Sequence, residues 1–415
     1  MAKTTDWRSF DRLLLAFTLS SATTAGAEFA LPLVAMSSTQ SVAWMAAVAT
    51  SMVVGTLIGD ACGGLLADTL PKWRLMAIGT AAETFALVAI SVTLLLGHAS
   101  AAVLVTLGFA LAASGSLSSS TESAAVRSLV ADEDLPRAGQ RRQARAFVTT
   151  LLGPALGGGL LTVATPLPFL VAAAAGMAAL GLLGLLRGAA QLHTRTAREG
   201  SPATFALAGV RAVFTDSTLG GFGILMVVLG AVPALLLAVS TYSMARNDVP
   251  PWAISLLPTA AGAGGLAGAL LLLPLLLKSR PPKVGPFSIG MLLTLGAIVG
   301  MMGMLNSIPW LIALAVIFTA GITLINPLLS FLMAYVPEDR QGRVLSTMTL
   351  LNSAPGFVAP ALASVLVASY DLHALLACAL LLFAAATVVL LVPTLRRIPA
   401  PAEWPDYMGQ LRTHG

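Results

Sequence analysis

Residues 55–76 read GTLIGDACGGLLADTLPKWRLM, and the organisation of the whole chain can be worked out from this stretch. A helix-length apolar run carries glycines at positions 55, 59 and 63 and continues to Asp68. A short turn with Lys72 and Arg74 then leads into a second apolar run. Two hydrophobic helices joined by a tight, charged turn are the simplest structure that fits this pattern.

The composition extends this reading to the rest of the chain. Of the 415 residues, 57% are hydrophobic and only 10% are charged, whereas soluble domains carry about 25% charged residues. Such a chain has too little polar surface for water and is expected to fold in lipid. Apolar runs such as 374–392 do not alternate with polar residues as barrel strands do, so the sequence predicts an all-α polytopic membrane protein.

The apolar runs predict twelve transmembrane helices. They lie at 13–36, 42–66, 74–96, 101–126, 146–164, 168–189, 219–242, 252–277, 285–305, 308–335, 344–369 and 372–394. We expect an N-terminal six-helix half (1–189), a polar central loop (190–218), a C-terminal six-helix half (219–394) and a polar tail (395–415).

The basic residues predict the orientation. With twelve spans, all of the 23 Lys and Arg residues except Arg246 fall on one side of the membrane. Cytoplasmic loops are enriched in Lys and Arg, so we expect a multi-pass protein of the cell (inner) membrane with both termini and the central loop in the cytoplasm. The formal net charge of +5 then reflects topology and does not indicate nucleic-acid binding.

An internal repeat divides the spans into two halves. Shifting the chain by 206 residues superposes Lys72 on Lys278 and Arg74 on Arg280. Later pairs share the same offset: Arg137 with Arg343, and Pro154 with Pro360. Parallel repeats with a binding site at their interface are a transporter architecture.

Several motifs carry a family resemblance. Gly64 and Asp68, followed by Lys72 and Arg74, resemble the loop signature of the major facilitator superfamily, Gly-x-x-x-Asp-x-x-Gly-Arg-Arg/Lys, although Pro71 replaces the second glycine. Three segments are similar to the drug- and siderophore-exporting branch, which includes macrolide efflux proteins and the enterobactin exporter: ALPL at 30–33, GPALGG at 153–158 and VPEDRQGR at 336–343.

The resemblance implies the major facilitator fold and the efflux of a small amphipathic compound, such as a drug, a macrolide, a siderophore or a secondary metabolite. It further implies proton antiport by alternating access and a role in multidrug resistance. One departure is that the fourth span has Arg127 only at its cytoplasmic end, whereas many proton-coupled drug exporters have an Arg embedded in that helix.

The resemblance also implies a cytoplasmic gate. Asp68 would contact the start of the eleventh span at Gly342 and Arg343, where a helix N-terminus and a guanidinium both favour a carboxylate. Together with Gly64, Lys72 and Arg74 these residues would form the gate motif. The second half has Pro274 at the position equivalent to Asp68, so the latch would be one-sided.

Acidic residues inside the spans are the proton-coupling candidates, because intramembrane carboxylates are costly and usually functional. Glu28 would lie roughly 20 Å from the cytoplasmic end of the first span, and Glu83 about 12 Å into the third. We expect Glu28 to be the stronger candidate and Glu83 the second. Asp60 and Glu122 lie nearer the helix ends and are read as structural carboxylates bonded to nearby Ser, Thr or Arg127.

Small residues at helical spacing predict close helix packing. Gly55, Gly59 and Gly63 share one face of the second span, and Gly153 and Gly157 do so with Pro154 in the fifth. These faces are either sliding interfaces of a rocking transporter or ordinary membrane packing, and the two readings are compatible.

No catalytic constellation, metal-ligand spacing or phosphate-binding loop occurs in the sequence, so no catalytic residue, metal site or cofactor is expected. The expected partners are a small-molecule substrate, protons and the lipid bilayer, and the protein is expected to be a monomer. The alternatives are an importer or lipid flippase of the same fold, and, in another class, a non-transporting membrane receptor or assembly subunit.

Overall fold

The computed structural model describes residues 6–66, 70–131, 134–185, 216–279, 282–305, 307–336, 338–404 and 406–407. Within these ranges every regular element is helical. In chain order the α-helices are α1 (Trp7–Thr39), α2 (Val42–Leu66), α3 (Lys72–Leu95), α4 (Ala101–Leu129), α5 (Leu135–Val163), α6 (Leu167–Gly184), α7 (Ser217–Arg246), α8 (Pro251–Ala267), α9 (Leu273–Ser279), α10 (Val284–Leu305), α11 (Ile308–Thr323), α12 (Asn326–Tyr335), α13 (Glu338–Tyr370), α14 (Leu375–Leu391) and α15 (Pro393–Arg396).

The helices of the described residues provide twelve membrane spans. Eleven stretches are long and apolar enough to cross a bilayer. The last of them, Thr347–Leu391, has 45 residues, which would make a straight helix of about 68 Å, more than twice the hydrocarbon thickness. It comprises most of α13 and the whole of α14, separated by the 3-10 turn Asp371–Ala374. The prediction of an all-α protein with twelve spans is therefore confirmed.

Two helices in the second half of the sequence are interrupted where single spans were predicted. A π-helical turn, Gly268–Leu272, joins α8 to α9, and Pro274 is the second residue of α9. The turn Leu324–Ile325 separates α11 from α12, which has Pro327 in its first turn. Proline lacks a backbone N–H and its ring crowds the preceding turn, so each break has a local cause.

Helix α5 begins earlier than the apolar run predicts. The predicted span starts at residue 146, whereas the helix starts at Leu135 with Pro136 in its first turn. The added turns carry four arginines, which a search for apolar runs reads as a loop. They are Arg137, Arg141, Arg142 and Arg145.

Contacts divide the chain into two compact units. The first contains Met1–Glu199 with Met244–Thr259, and the second contains Gly200–Ser243 with Ala260–Gly415. The hairpin between α7 and α8 thus belongs to the first unit. Gly158 of α5 lies against it, because a Cβ atom on this glycine would come within 2.7 Å of the Pro251 carbonyl oxygen.

Glycine faces set the closest helix approaches in the first unit. A Cβ atom on Gly55 would lie 2.5 Å from the Phe109 carbonyl oxygen, and Gly59 and Gly63 face the same helix, α4. Gly55 and Gly59 could not carry a side chain without moving the helices apart, because each meets a backbone carbonyl oxygen, whereas Gly63 meets first the Ser120 hydroxyl, which can rotate away.

Helices α1 and α5 approach each other in the same way. A Cβ atom on Gly153 would lie 2.7 Å from Ala25 Cβ, and one on Gly157 would lie 2.8 Å from Gly26 Cα. Pro154 lies inside α5 between these glycines. The glycine spacing therefore brings α1 against α5 and fixes the direction in which the polar side chains of α1 point.

A C-terminal strap packs onto the second unit. We give this name to residues 393–404 with Asp406 and Tyr407. Leu395 and Ile398 are fully buried, and the backbone N–H of Gly285, at the start of α10, donates to the Ile398 carbonyl at 3.1 Å.

Aromatic rings complete the attachment of the strap. The Trp404 ring meets Phe331 of α12 edge-on at a centroid distance of 5.5 Å, and the Tyr407 ring lies 6.1 Å from the same phenylalanine. The predicted polar tail is therefore, over its described residues, a packed segment that contacts α10 and α12.

Candidate functional site

The candidate site is built around Glu83, a carboxylate on α3 of the first unit. Its side chain is buried, and its Oε1 accepts a 2.7 Å hydrogen bond from the hydroxyl of Thr24 on α1. Thr24 is buried too. A buried carboxylate needs such a partner, because an unpaired polar group away from water is costly.

Glu28 lies one helical turn beyond Thr24 on α1, and residues four apart share a helix face. Its side chain is half-buried, and it follows the threonine that donates to Glu83 on the same helix face. The structure thus brings the two proton-coupling candidates, predicted from separate helices, into one carboxylate pair.

Helix α4 also lies against Glu83. A Cβ atom added to Gly115 would lie 3.7 Å from Glu83 Cδ and 3.8 Å from its Oε1, which is ordinary van der Waals contact. The Glu83 carboxylate is therefore enclosed between α1 and α4, and the glycine leaves it room.

The pair lies among apolar side chains and polar hydroxyls. Neither Glu28 nor Glu83 forms an ion pair with any described Lys or Arg. The arrangement can hold an exchangeable proton or attract a cation, and it offers nothing to an anion.

Glu122 on α4 has different partners from those predicted. Its side chain is only 1% exposed, and its Oε1 lies 2.7 Å from Arg145 Nη1 and 3.6 Å from Arg142 Nε. Arg142 also donates to the Ser123 hydroxyl at 2.7 Å. Both arginines belong to the part of α5 that extends beyond the predicted span, so apolar-run analysis had no reason to direct them at α4.

Asp60 on α2 is exposed and accepts a hydrogen bond from the Ser116 hydroxyl of α4 at 2.5 Å. This serine partner is of the kind predicted for it. The contact joins α2 to α4 at the glycine face and sets Asp60 apart from the carboxylate pair.

The gate motif is described only in part. Asp68 lies outside the described residues. Gly64, Gly342 and Arg343 lie in helices, and the structure describes only their backbone. Lys72 is the first residue of α3 and is buried. Arg74 is exposed, with its guanidinium 5.6 Å from the Trp73 ring centroid. The latch between Asp68 and the eleventh predicted span stays a prediction.

The described part of the chain was also compared with the requirements of a metal site. No group of three or more His, Cys, Asp and Glu side chains there is placed to hold a metal ion. The carboxylate pair has two such groups, with a hydroxyl as the third oxygen.

Solved structures similar to this one are membrane transporters. A bacterial homologue of the iron transporter ferroportin, in an inward-facing state, matches with a TM-score of 0.66 and 17% identity over 93% of this chain and 99% of its own. A structure of a bacterial metal transporter matches with a TM-score of 0.63 and 17% identity, covering 92% and 98%. A peptide transporter POT in complex with sulfate matches with a TM-score of 0.69 and 14% identity, covering 95% and 96%.

Comparison with curated protein sequences found no significant match. Comparison with protein-family models did find one. The model described as Major Facilitator Superfamily matches residues 13–360, which covers most of the chain. With twelve apolar helices and this match, the chain is a multi-pass membrane transporter rather than an enzyme, and it belongs to the Major Facilitator Superfamily.

Proposed function

We propose that the protein exports small amphipathic compounds in exchange for protons, by alternating access between its two halves. The arginine-rich helix ends and both termini would face the cytoplasm of the cell (inner) membrane. The protein would act as a monomer, and the glycine faces of α2 and α5 would be surfaces along which helices slide.

The carboxylate pair of Glu28 and Glu83 is the observation that carries this proposal. Glu83 is buried in a spanning helix, and Glu28 lies one helical turn along α1 from Thr24, the hydrogen-bond donor to Glu83. Intramembrane carboxylates usually mark a proton or substrate site. A site that loses a proton when it faces one side, and regains it when it faces the other, couples proton flow to transport.

Proton coupling fits the chemistry of the pair better than metal transport does. The described residues place two carboxylates and one threonine hydroxyl together, whereas a hard divalent cation prefers six or more oxygen ligands. The resembling structures are of proteins named for iron, metal or peptide transport, and at 14–17% identity they carry the fold alone.

The test is transport by the purified protein in liposomes. A lumenal pH dye reports proton movement when candidate amphipathic compounds, chosen first from a resistance panel on a deletion strain, are added. We expect compound-driven proton flux in the wild type and its loss in Glu28→Gln and Glu83→Gln.

The matched control is Asp60→Asn, which neutralises an exposed acid with a serine partner on a neighbouring helix. It should keep at least half of the wild-type flux. Full flux in Glu28→Gln with normal expression and folding would remove Glu28 from the mechanism, and full flux in both glutamine variants would overturn proton coupling by this pair.

The direction of transport is tested separately. Uptake by inverted vesicles and efflux from whole cells distinguish an exporter from an importer, and labelled lipids in the same liposomes test a flippase. A receptor or assembly subunit of this fold would give no flux with any compound.

A further inference from the structure

We infer that Thr24 is the positioning residue of the carboxylate pair: its hydroxyl holds Glu83 beside Glu28 and joins the helices that carry the two acids. The inference rests on the proposed function for its consequence in transport, while the contact itself is tested independently. Among the described residues, no other side chain donates a hydrogen bond to Glu28 or Glu83.

The hydroxyl of Thr24 behaves differently from its neighbours on α1. Thr18 donates to the Leu14 carbonyl at 2.6 Å, and Thr23 donates to the Leu19 and Ser20 carbonyls at 3.0 and 2.9 Å. Such bonds to the carbonyl three or four residues earlier are the usual choice for hydroxyls inside helices. Thr24 instead donates across to Glu83 on α3.

The neighbours of Glu83 leave the Thr24 hydroxyl as the group that orients its carboxylate. Gly115 of α4 stands 3.7 Å behind the carboxyl carbon, measured from a Cβ position, and offers no side chain to hold it. The Thr24 hydroxyl donates to Oε1 at 2.7 Å. Without this hydroxyl, the Glu83 carboxylate loses the hydrogen bond that fixes its orientation.

The bond also makes the two acids unequal. Glu83 is buried and has a hydroxyl donor. Glu28 is half-buried, and the described residues give it no hydrogen bond. The two acids are therefore held differently: Glu83 is fixed by the Thr24 hydroxyl, whereas Glu28 has no such fixed contact among the described residues.

Charged side chains occur on every helix around the pair except α6. Helix α2 carries Asp60, α3 carries Lys72 and Arg74, and α5 carries four arginines before residue 146. Helix α4 carries Glu122, which is paired with Arg145, and Arg127, while α6 has none between Leu167 and Gly184. On α1 the remaining ones, Arg8, Asp11 and Arg12, lie in its first two turns. Within the described residues none of these groups forms an ion pair with Glu28 or Glu83, and the Thr24 hydroxyl is the polar contact that holds Glu83.

The contact is tested by infrared spectroscopy on the purified protein, which needs no substrate. Glu83→Gln first identifies the C=O stretching band of the protonated Glu83 side chain. Thr24→Val should move that band to higher frequency, because the carbonyl loses a hydrogen bond, and should change the pH at which the band disappears. Thr24→Ser should leave both close to the wild-type values.

Thr23→Val is the matched control, since it removes a hydroxyl that bonds only to its own helix, and it should leave the band unchanged. Thr24→Ala provides a second hydroxyl-free variant if valine prevents folding. An unchanged Glu83 band in both hydroxyl-free variants, or an equal change in Thr23→Val, would overturn the inference.

Transport by the same variants separates this inference from the proposed function. If Thr24→Val shifts the pH profile of flux and Thr24→Ser restores it, both stand. If the band moves while flux shows no proton dependence in any variant, including the wild type, then the positioning role stands and proton coupling fails.

Discussion

Arg145 Nη1 lies 2.7 Å from Glu122 Oε1, in a pair where the glutamate side chain is 1% exposed and the arginine 12%. The ion pair joins α4 to α5, and the Phe17 ring of α1 covers the guanidinium at 5.9 Å. The second carboxylate oxygen, Oε2, is buried and has no hydrogen bond from the described residues. The buried charge of Glu122 is therefore stabilised mainly by its arginine partners.

We therefore expect Arg145→Met to destabilise the protein by up to about 3–5 kcal/mol, because it leaves the buried Glu122 carboxylate with only the 3.6 Å contact to Arg142. The double variant Glu122→Leu/Arg145→Met should recover most of this loss. Thermal unfolding in detergent measures both. Arg141→Gln is the control, since its pair with Asp11 is exposed and should contribute less than about 1 kcal/mol. Equal losses in Arg145→Met and Arg141→Gln would contradict the prediction.

Gly157→Ala should cost about 1–3 kcal/mol, because the new methyl group would force α5 away from α1. Its Cβ would come within 2.8 Å of Gly26 Cα, whereas a Cβ on Gly159 of the same helix meets nothing within 4 Å. Gly159→Ala should be neutral or stabilising by up to about 1 kcal/mol. Melting temperatures of the two variants decide this, and the prediction fails if they are the same.

Trp404→Ala should loosen the C-terminal strap. Its edge-on contact with Phe331 is worth about 0.5–1.5 kcal/mol beyond the buried area. We expect faster proteolysis within residues 393–407 and a lower melting temperature, while Asp406→Ala, at an exposed position, changes neither. A strap that stays protected in Trp404→Ala would show that the buried Leu395 and Ile398 are sufficient to hold it.

Asp6→Ala should weaken the start of α1 in a pH-dependent way. Hydrogen bonds from Ser9 hold the pKa of the Asp6 carboxyl below its usual range. Asp6 is the N-cap of α1. At pH values above the ordinary Asp pKa of about 4, the ionised cap stabilises the protein by about 1 kcal/mol. This stabilisation is lost as the pH falls through the lowered pKa of Asp6 in the folded state. Unfolding of the variant and wild type should differ at neutral pH and converge in acid. A difference that does not vary with pH would exclude the carboxylate as the cause.

The spanning helices could be predicted because lipid imposes long apolar runs, and glycine spacing such as that of Gly55 and Gly59 survives in the sequence as a plain pattern. The start of α5 could not be predicted in this way, since its arginines look like a loop to any hydropathy criterion. The pairing of Glu122 with Arg145 was missed for the same reason. Four basic residues at helical spacing after Pro136 were the signal that could have revealed it.

The candidate site was predictable by residue type and depth but not by arrangement. Glu28 and Glu83 stood out as acids within apolar runs. Their meeting depends on how α1 and α3 pack, which no local pattern records. The role of Thr24 was invisible in the sequence, because Thr23 and Thr24 are adjacent and chemically identical. Only the helix rotation fixed by α1 packing on α5 separates them.

The strap has a consequence for how the protein is made. Residues 393–407 follow all twelve spans in the chain, yet they fasten the ends of α10 and α12, which leave the ribosome long before them. Because domains begin to fold during synthesis, N-terminal parts first, the second half must be inserted with these ends unfastened. The packing of the strap onto α10 and α12 therefore follows insertion of the last span. A chain truncated after α14 would contain every span but would lack the strap contacts with α10 and α12.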